Sequence, residues 1–265
     1  MSQKEEVINS AEESRTSKLR VKPTILIGVA IYLIYLAIFY GTWAVTGVDY
    51  ERIGESANTT KLWYAMPTLL GSAFVAIAVT ALGWWRVSLF DKVKSGPKWF
   101  WIMPVAMLLV IIGSYATTQV DNLSSQLLIW CILGGLGVGF SEEMITRGSL
   151  IVGLRSKLTE GKVWLISTLL FSALHIPNVI FGLPLSQMPG QLVLTFIMGS
   201  AFYAMRRVSG TLILTIVLHG LWDSSVFLPQ ATGSDGFPLN VLLYPLAIIC
   251  VIPVILRNRK LKINN

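Results

Sequence analysis

The sequence predicts an all-α membrane protein, a polytopic bundle of about eight transmembrane helices. Three observations carry this. Hydrophobic residues make up 54% of the 265-residue chain and charged residues only 13%, against about 25% charged in soluble domains. The apolar residues gather into eight runs, at about 24–46, 63–85, 99–116, 125–147, 163–181, 190–205, 209–227 and 240–256, each near the ~17–25 residues that span a bilayer as a helix. The runs are continuously apolar and do not alternate, which selects helices over a barrel.

Taken in order, the runs are bounded by tryptophans and by breaks. Trp43 lies near the end of the first; Trp63 opens the second and Trp84 and Trp85 close it; Trp99 and Trp101 open the third; Trp164 stands near the start of the fifth. These are interfacial positions, where an aromatic ring with a polar edge is most stable. The fourth run extends through GSLIVGL (148–154) to about Arg155, too long for an upright helix. It must tilt, or break in the Gly134-Gly135-x-Gly137-x-Gly139 stretch, whose bare backbone would also let a neighbouring helix or a substrate approach. The fifth run contains Pro177, which bends or ends a helix and frees backbone groups. Gly182, Pro184, Pro189 and Gly190 mark the break before the sixth run, and Arg206, Arg207 and Gly210 the break after it.

Basic residues set the orientation. With the N-terminus in the cytoplasm, 18 of the 21 Lys and Arg fall on the cytoplasmic side, Arg52 and Lys61 fall outside, and Arg147 stays within a span. This is the positive-inside pattern, and it accounts for the net charge of +7 without nucleic acid. Both termini are expected in the cytoplasm. Nothing marks a eukaryotic chain, so a bacterial cell membrane is the expected location. Residues 1–22 read as a disordered cytoplasmic tail, 23–257 as the transmembrane domain with a core at about 125–225, and 258–265 as a basic cytoplasmic tail. Cys131 and Cys250 lie far apart in apolar runs and read as small packing residues.

Function is signalled by what lipid should exclude. The only two histidines, His175 and His219, lie inside apolar runs, as do Glu142, Glu143 and Asp223. Each ionisable group in hydrocarbon costs roughly 3 kcal/mol on insertion scales, so five of them point to a shared use. Depth supports this. Glu142 is thirteen positions from Arg155, His175 thirteen from Lys162 and His219 twelve from Arg207, which puts all three roughly 18–20 Å from the cytoplasmic boundary at 1.5 Å per residue. Glu143 and Arg147 stand four apart with the acid first, the favourable order for a helical ion pair. His219 and Asp223 have the same spacing, as do Phe171 and His175.

EEMITR (142–147), FSALH (171–175) and HGLWD (219–223) fit the patterns Glu-Glu-x-x-x-Arg, Phe-x-x-x-His and His-x-x-x-Asn/Asp, in that order on successive segments. In this the chain resembles the CAAX prenyl endopeptidase and bacteriocin-processing (CPBP, or Abi) intramembrane proteases. The resemblance covers about 125–225 and implies hydrolysis of a peptide bond within the membrane. It implies that Glu142 activates water with His175, that His219 and residue 223 steady the oxyanion, and that Glu143 and Arg147 support the first motif. Asp223 stands where Asn also occurs. Ionised, it can only accept, so it fits better as a partner orienting His219 or as a metal ligand.

Two readings of the chemistry follow, one glutamate-dependent and one with zinc held by His175, His219 and Asp223. The expected partners are membrane lipid and a membrane-associated or lipidated peptide or protein substrate. The expected site is a polar cavity open to the cytoplasmic side or laterally to lipid. A proton-coupled transporter and a non-enzymatic scaffold or immunity-type protein stand as alternatives, since buried Glu, His and Asp also make proton relays.

Overall fold

The computed structural model describes residues 19–119 and 123–263. All eight expected segments are helical: α1 Ile25–Thr46, α2 Ala57–Leu82, α3 Lys98–Thr117, α4 Ser125–Arg155, α5 Glu160–Phe181, α6 Met188–Ser209, α7 Ile213–Thr232 and α8 Pro238–Asn258. Among the described residues there is no strand, only an isolated bridge between Phe90 and Thr211. Seven of these helices are long and apolar enough to cross a membrane, which makes the chain an integral membrane protein. The eighth, α7, is 20 residues long but is not among the seven, because it carries His219, Asp223, Ser224 and Ser225. Most of the expected tail at 1–22 lies outside the described residues. In the C-terminal tail, the Arg259 and Leu261 carbonyls accept from the Gly161 and Glu160 N–H groups and so satisfy the first turn of α5.

The fourth segment runs unbroken for 31 residues. Its irregularity falls not in the glycines but at Met144–Ser149, which is a π-helical stretch. The Thr146 hydroxyl bonds the Glu142 carbonyl, and the Ser149 hydroxyl those of Met144 and Ile145. The glycines have a different use. A Cβ on Gly135 would lie 2.6 Å from the Gly220 carbonyl oxygen, and one on Gly139 would lie 2.6 Å from the Gly220 backbone nitrogen. Here α4 and α7 run antiparallel with their backbones in contact, the close approach that small residues permit in a membrane. Glu142 and Glu143 lie within a turn or so of Gly139, and His219 precedes Gly220, so this seam brings the two motifs together.

One end of the bundle is tied by a buried ionic cluster. Arg206 and Arg207 do not mark a break; they form the last turn of α6, fully buried. The Asp91 carboxylate, in the loop before α3, accepts from Arg155 Nη1 at 2.8 Å and Nη2 at 3.2 Å, from Arg206 Nε at 2.9 Å and from Arg207 Nη1. Glu160 takes Arg155 Nε at 2.8 Å and the Tyr203 hydroxyl at 2.6 Å. Burial pushes the Asp91 pKa up, but Arg206, Arg155 and Arg207 outweigh it and hold the carboxyl well below the usual carboxylate range.

Gly139→Val is expected to destabilise the detergent-solubilised protein by at least ~1–3 kcal/mol, since the obstructing atoms are backbone. Gly41→Ala, with open space around it, is expected to be neutral or slightly stabilising in the same thermal melt. Asp91→Asn leaves three buried guanidiniums short of a counter-charge and is expected to cost ~3–5 kcal/mol. Folding lowers the Asp91 pKa, so its contribution is complete above the unfolded value near ~3.9 and is lost as pH falls below it. Stability profiles of wild type and Asp91→Asn should therefore converge on the acid side.

Candidate active site

Six side chains were singled out in the sequence, and the structure brings them to one place. Glu142 and Glu143 end the α-helical part of α4, and both are buried. Oε1 of Glu143 accepts from Arg147 Nη1 at 2.9 Å and from His219 Nδ1 at 3.0 Å. The ion pair expected from the i,i+4 spacing is present, with both side chains 0% exposed. One oxygen of Glu143 thus joins the π-helical turn of α4 to α7.

His219 is held differently from the sequence expectation. The carboxylate that hydrogen-bonds its ring is Glu143, from another helix. Asp223, one turn along α7, places Oδ1 3.7 Å from Nε2, and Glu142 Oε2 lies 4.0 Å from the same nitrogen. Both are beyond hydrogen-bond length. Nδ1 donates to Glu143, so Nε2 is the atom presented to Glu142 and Asp223.

The His175 geometry follows from Pro177. The α-helical part of α5 ends at Ala173, and Ile176–Phe181 continues as 3₁₀ helix. As the helix tightens, the His175 N–H bonds the Ser172 carbonyl and the Asn178 N–H bonds that of His175. The carbonyls of Phe171 and Leu174 lose their helical partners. His175 Nδ1 takes the first at 3.1 Å, and the Tyr40 hydroxyl of α1 takes the second. A carbonyl only accepts, so Nδ1 carries a proton, and in the neutral ring Nε2 of His175 is a bare acceptor.

Phe171 lies between these groups. Its ring is edge-on to His175 and to His219, with centroids 5.6 and 5.7 Å apart, and the Arg147 guanidinium lies 3.8 Å above its face. Arg147 Nε and Nη2 have no hydrogen-bond partner; the ring face takes that place, as cations favour an aromatic π-cloud. Phe202 stacks on His219 at 4.4 Å. Gly199 makes room, since a Cβ there would meet Arg147 Nη2 at 2.6 Å and the Phe171 ring at 2.7 Å. Phe202 and Gly199 were not singled out in the sequence. An aromatic and a glycine in a membrane helix give no contrast against their surroundings.

A cavity of about 320 Å³ meets the site. Its walls include Glu142, His175, Trp222 and Asp223, with Tyr40, Trp43, Tyr50 and Trp63 beyond them. A smaller cavity of about 100 Å³, towards α6 and Tyr244, shares Glu142, His175, Trp222 and Asp223 and adds His219. The large cavity carries a polar chain also not anticipated: hydrogen bonds of 3.0, 3.2 and 3.1 Å join Tyr40 to Asn178, Asn178 to Gln191, and Gln191 to the Tyr50 hydroxyl.

Residues 124–225, from the start of α4 to the middle of α7, match the family model for type II CAAX prenyl endopeptidase Rce1-like proteins. The match supports the CPBP/CAAX protease family for this chain. It takes in all six side chains and leaves α1–α3 and α8 outside. No curated protein matches the chain.

Nε2 of His219 stands 3.7 Å from Asp223 Oδ1 and 4.0 Å from Glu142 Oε2. Among the described residues, no three His, Cys, Asp or Glu are grouped so that they could hold an ion.

Glu143→Gln removes the buried counter-charge of Arg147 and is expected to cost ~3–5 kcal/mol. The Glu143→Gln/Arg147→Met double variant should recover much of that loss, measured by chemical denaturation in detergent. Additive losses would show that the two charges are not coupled.

Proposed function

We propose that the chain is an intramembrane endopeptidase that hydrolyses a peptide bond of a membrane-associated or lipidated peptide or protein, without a metal. The observation that carries this reading is that Glu142 and His175, whose Nδ1 is taken by the Phe171 carbonyl, line one cavity. A water molecule held between them would have an acceptor for each of its protons, the Glu142 carboxylate and the His175 Nε2, which leaves a lone pair free for a carbonyl carbon.

In the proposed sequence Glu142 takes the proton as the water oxygen bonds to the scissile carbon. The carbonyl π pair moves onto oxygen. When Nε2 of His219 carries a hydrogen it is the donor to that oxyanion, and such donors in a dry site are worth about 10²–10³ in rate. The C–N bond then breaks, and the proton held by Glu142 passes to the leaving amine. Glu143 and Arg147 touch no reacting atom; they orient His219 and fix the turn that carries Glu142. Asp223 lines the cavity near Nε2 of His219 and acts on its charge. It is not a donor.

Transport is less well supported. The cavity walls come from one end of the bundle, and the other end is closed by the Asp91 cluster.

The test is purified protein with a peptide library. Glu142→Gln should lower cleavage by at least ~10³-fold, the scale of losing a proton-transfer group and its water, with an unchanged melting temperature. Wild-type cleavage should persist with a chelator. Activity retained by Glu142→Gln would defeat the hydrolase reading, and loss in chelator restored by zinc would defeat the metal-free one.

A further inference from the structure

The site was expected to open to the cytoplasm or laterally to lipid. The cavity walls point elsewhere. From Glu142 and His175 the cavity runs to Trp43 at the end of α1, to Tyr50 and Ile53 in the following loop, to Trp63 at the start of α2, and to Gln230 at the end of α7. Asn178 and Gln191, on its walls, close α5 and open α6. All of these lie at one end of the bundle. Trp43 donates to the Trp63 carbonyl at 2.6 Å, and Gln191 reaches Tyr50 across that end.

The charge lies at the other end. Arg20, Lys22, Arg86, Lys92, Lys94, Lys98, Lys157, Lys162, Arg257, Arg259, Lys260 and Lys262 are all exposed there. The acids at that end among the described residues, Asp91 and Glu160, are bound by buried arginines. At the cavity end Arg52 and Lys61 face Asp49, Glu51, Glu55 and Asp235, and Arg52 is already paired with Glu55 at 2.6 Å. Loops rich in exposed Lys and Arg stay in the cytoplasm. The site is also sealed on that side. Arg147, Phe171 and Phe202 pack beneath the two histidines, and Arg206 bonds the Arg147 carbonyl from below.

We propose that the site is reached from the non-cytoplasmic face, so that its substrate is a peptide segment in the outer leaflet or beyond it, such as the membrane-proximal part of an exported or anchored protein. The reaction at Glu142 rests on the hydrolase reading, but the side from which the cavity is entered does not. Aromatic walls suit apolar side chains at the headgroup level. Asn178, Gln191 and Gln230 offer amides to the main chain of an extended segment, whose own N–H and C=O groups need partners once out of water.

The experiment uses the full chain expressed in bacterial cells. Cys131 and Cys250 are buried and should stay silent to a membrane-impermeant maleimide. Glu55→Cys should label on intact cells, and Lys157→Cys only after lysis; the reverse pattern overturns the proposal. Val226 is 42% exposed and lines the cavity. Val226→Cys should cleave a membrane-anchored reporter until intact cells are treated with the reagent, and then lose cleavage. Labelled protein that still cleaves also overturns it. Cleavage by solubilised Glu142→Gln would defeat the hydrolase reading while leaving the labelling result standing.

Discussion

One carboxylate oxygen holds the candidate site together. Oε1 of Glu143 accepts from Arg147 within its own helix and from His219 on α7. In hydrocarbon neither the guanidinium nor the imidazole can stay unpartnered, so the shared oxygen fixes both. The demand propagates. His219 can reach Glu143 only because Gly135, Gly139 and Gly220 let the two backbones touch. Arg147 can turn back towards Glu143 only if something occupies its other side, and Phe171 does, in space that Gly199 leaves open.

The two buried ionic groups among the described residues differ in how completely they are satisfied. Both oxygens of Asp91 are taken by arginines, and Glu160 is held by Arg155 and Tyr203. That arrangement tolerates no rearrangement and suits a structural anchor. At the site, Glu143 Oε2 and two nitrogens of Arg147 lack hydrogen-bond partners, and Glu142 and Asp223 stand 4.0 and 3.7 Å from His219. Such a loose set of charges leaves room for a substrate group between them. Arg206 links the two, bonding Asp91 and the Arg147 carbonyl together. The rigid cluster thereby supports the turn from which Glu142 projects.

Much of this was legible in the sequence, for a physical reason. Lipid forces every span to be apolar, so the spans, and any ionisable residue within them, stand out. The motifs and their common depth followed from that contrast. The fourth segment shows where it ends. Its length was readable, but its accommodation was placed in the glycines, whereas Met144–Ser149 is the irregular stretch and the glycines face α7. His219 shows the same limit. Spacing displays neighbours along one helix, so Asp223 was the visible partner; Glu143, on another helix, was not. Phe202, Gly199, Asn178 and Gln191 carry no mark in the sequence, because an apolar or neutral residue in a span costs too little to need explaining.

The two histidines illustrate how backbone geometry assigns chemistry. Each has its Nδ1 occupied and its Nε2 presented, but the occupants differ. Pro177 lies just beyond the α-helical part of α5, the tightened turn frees the Phe171 carbonyl, and a neutral oxygen holds His175. Such an acceptor fixes the tautomer of the neutral ring. His219 is held by a carboxylate and has two more nearby, so a positive ring there is met on three sides. In the proposed hydrolysis the first is the proton acceptor for water and the second the donor to the developing oxyanion. The division of labour proposed for two identical side chains thus rests on one proline and one glutamate.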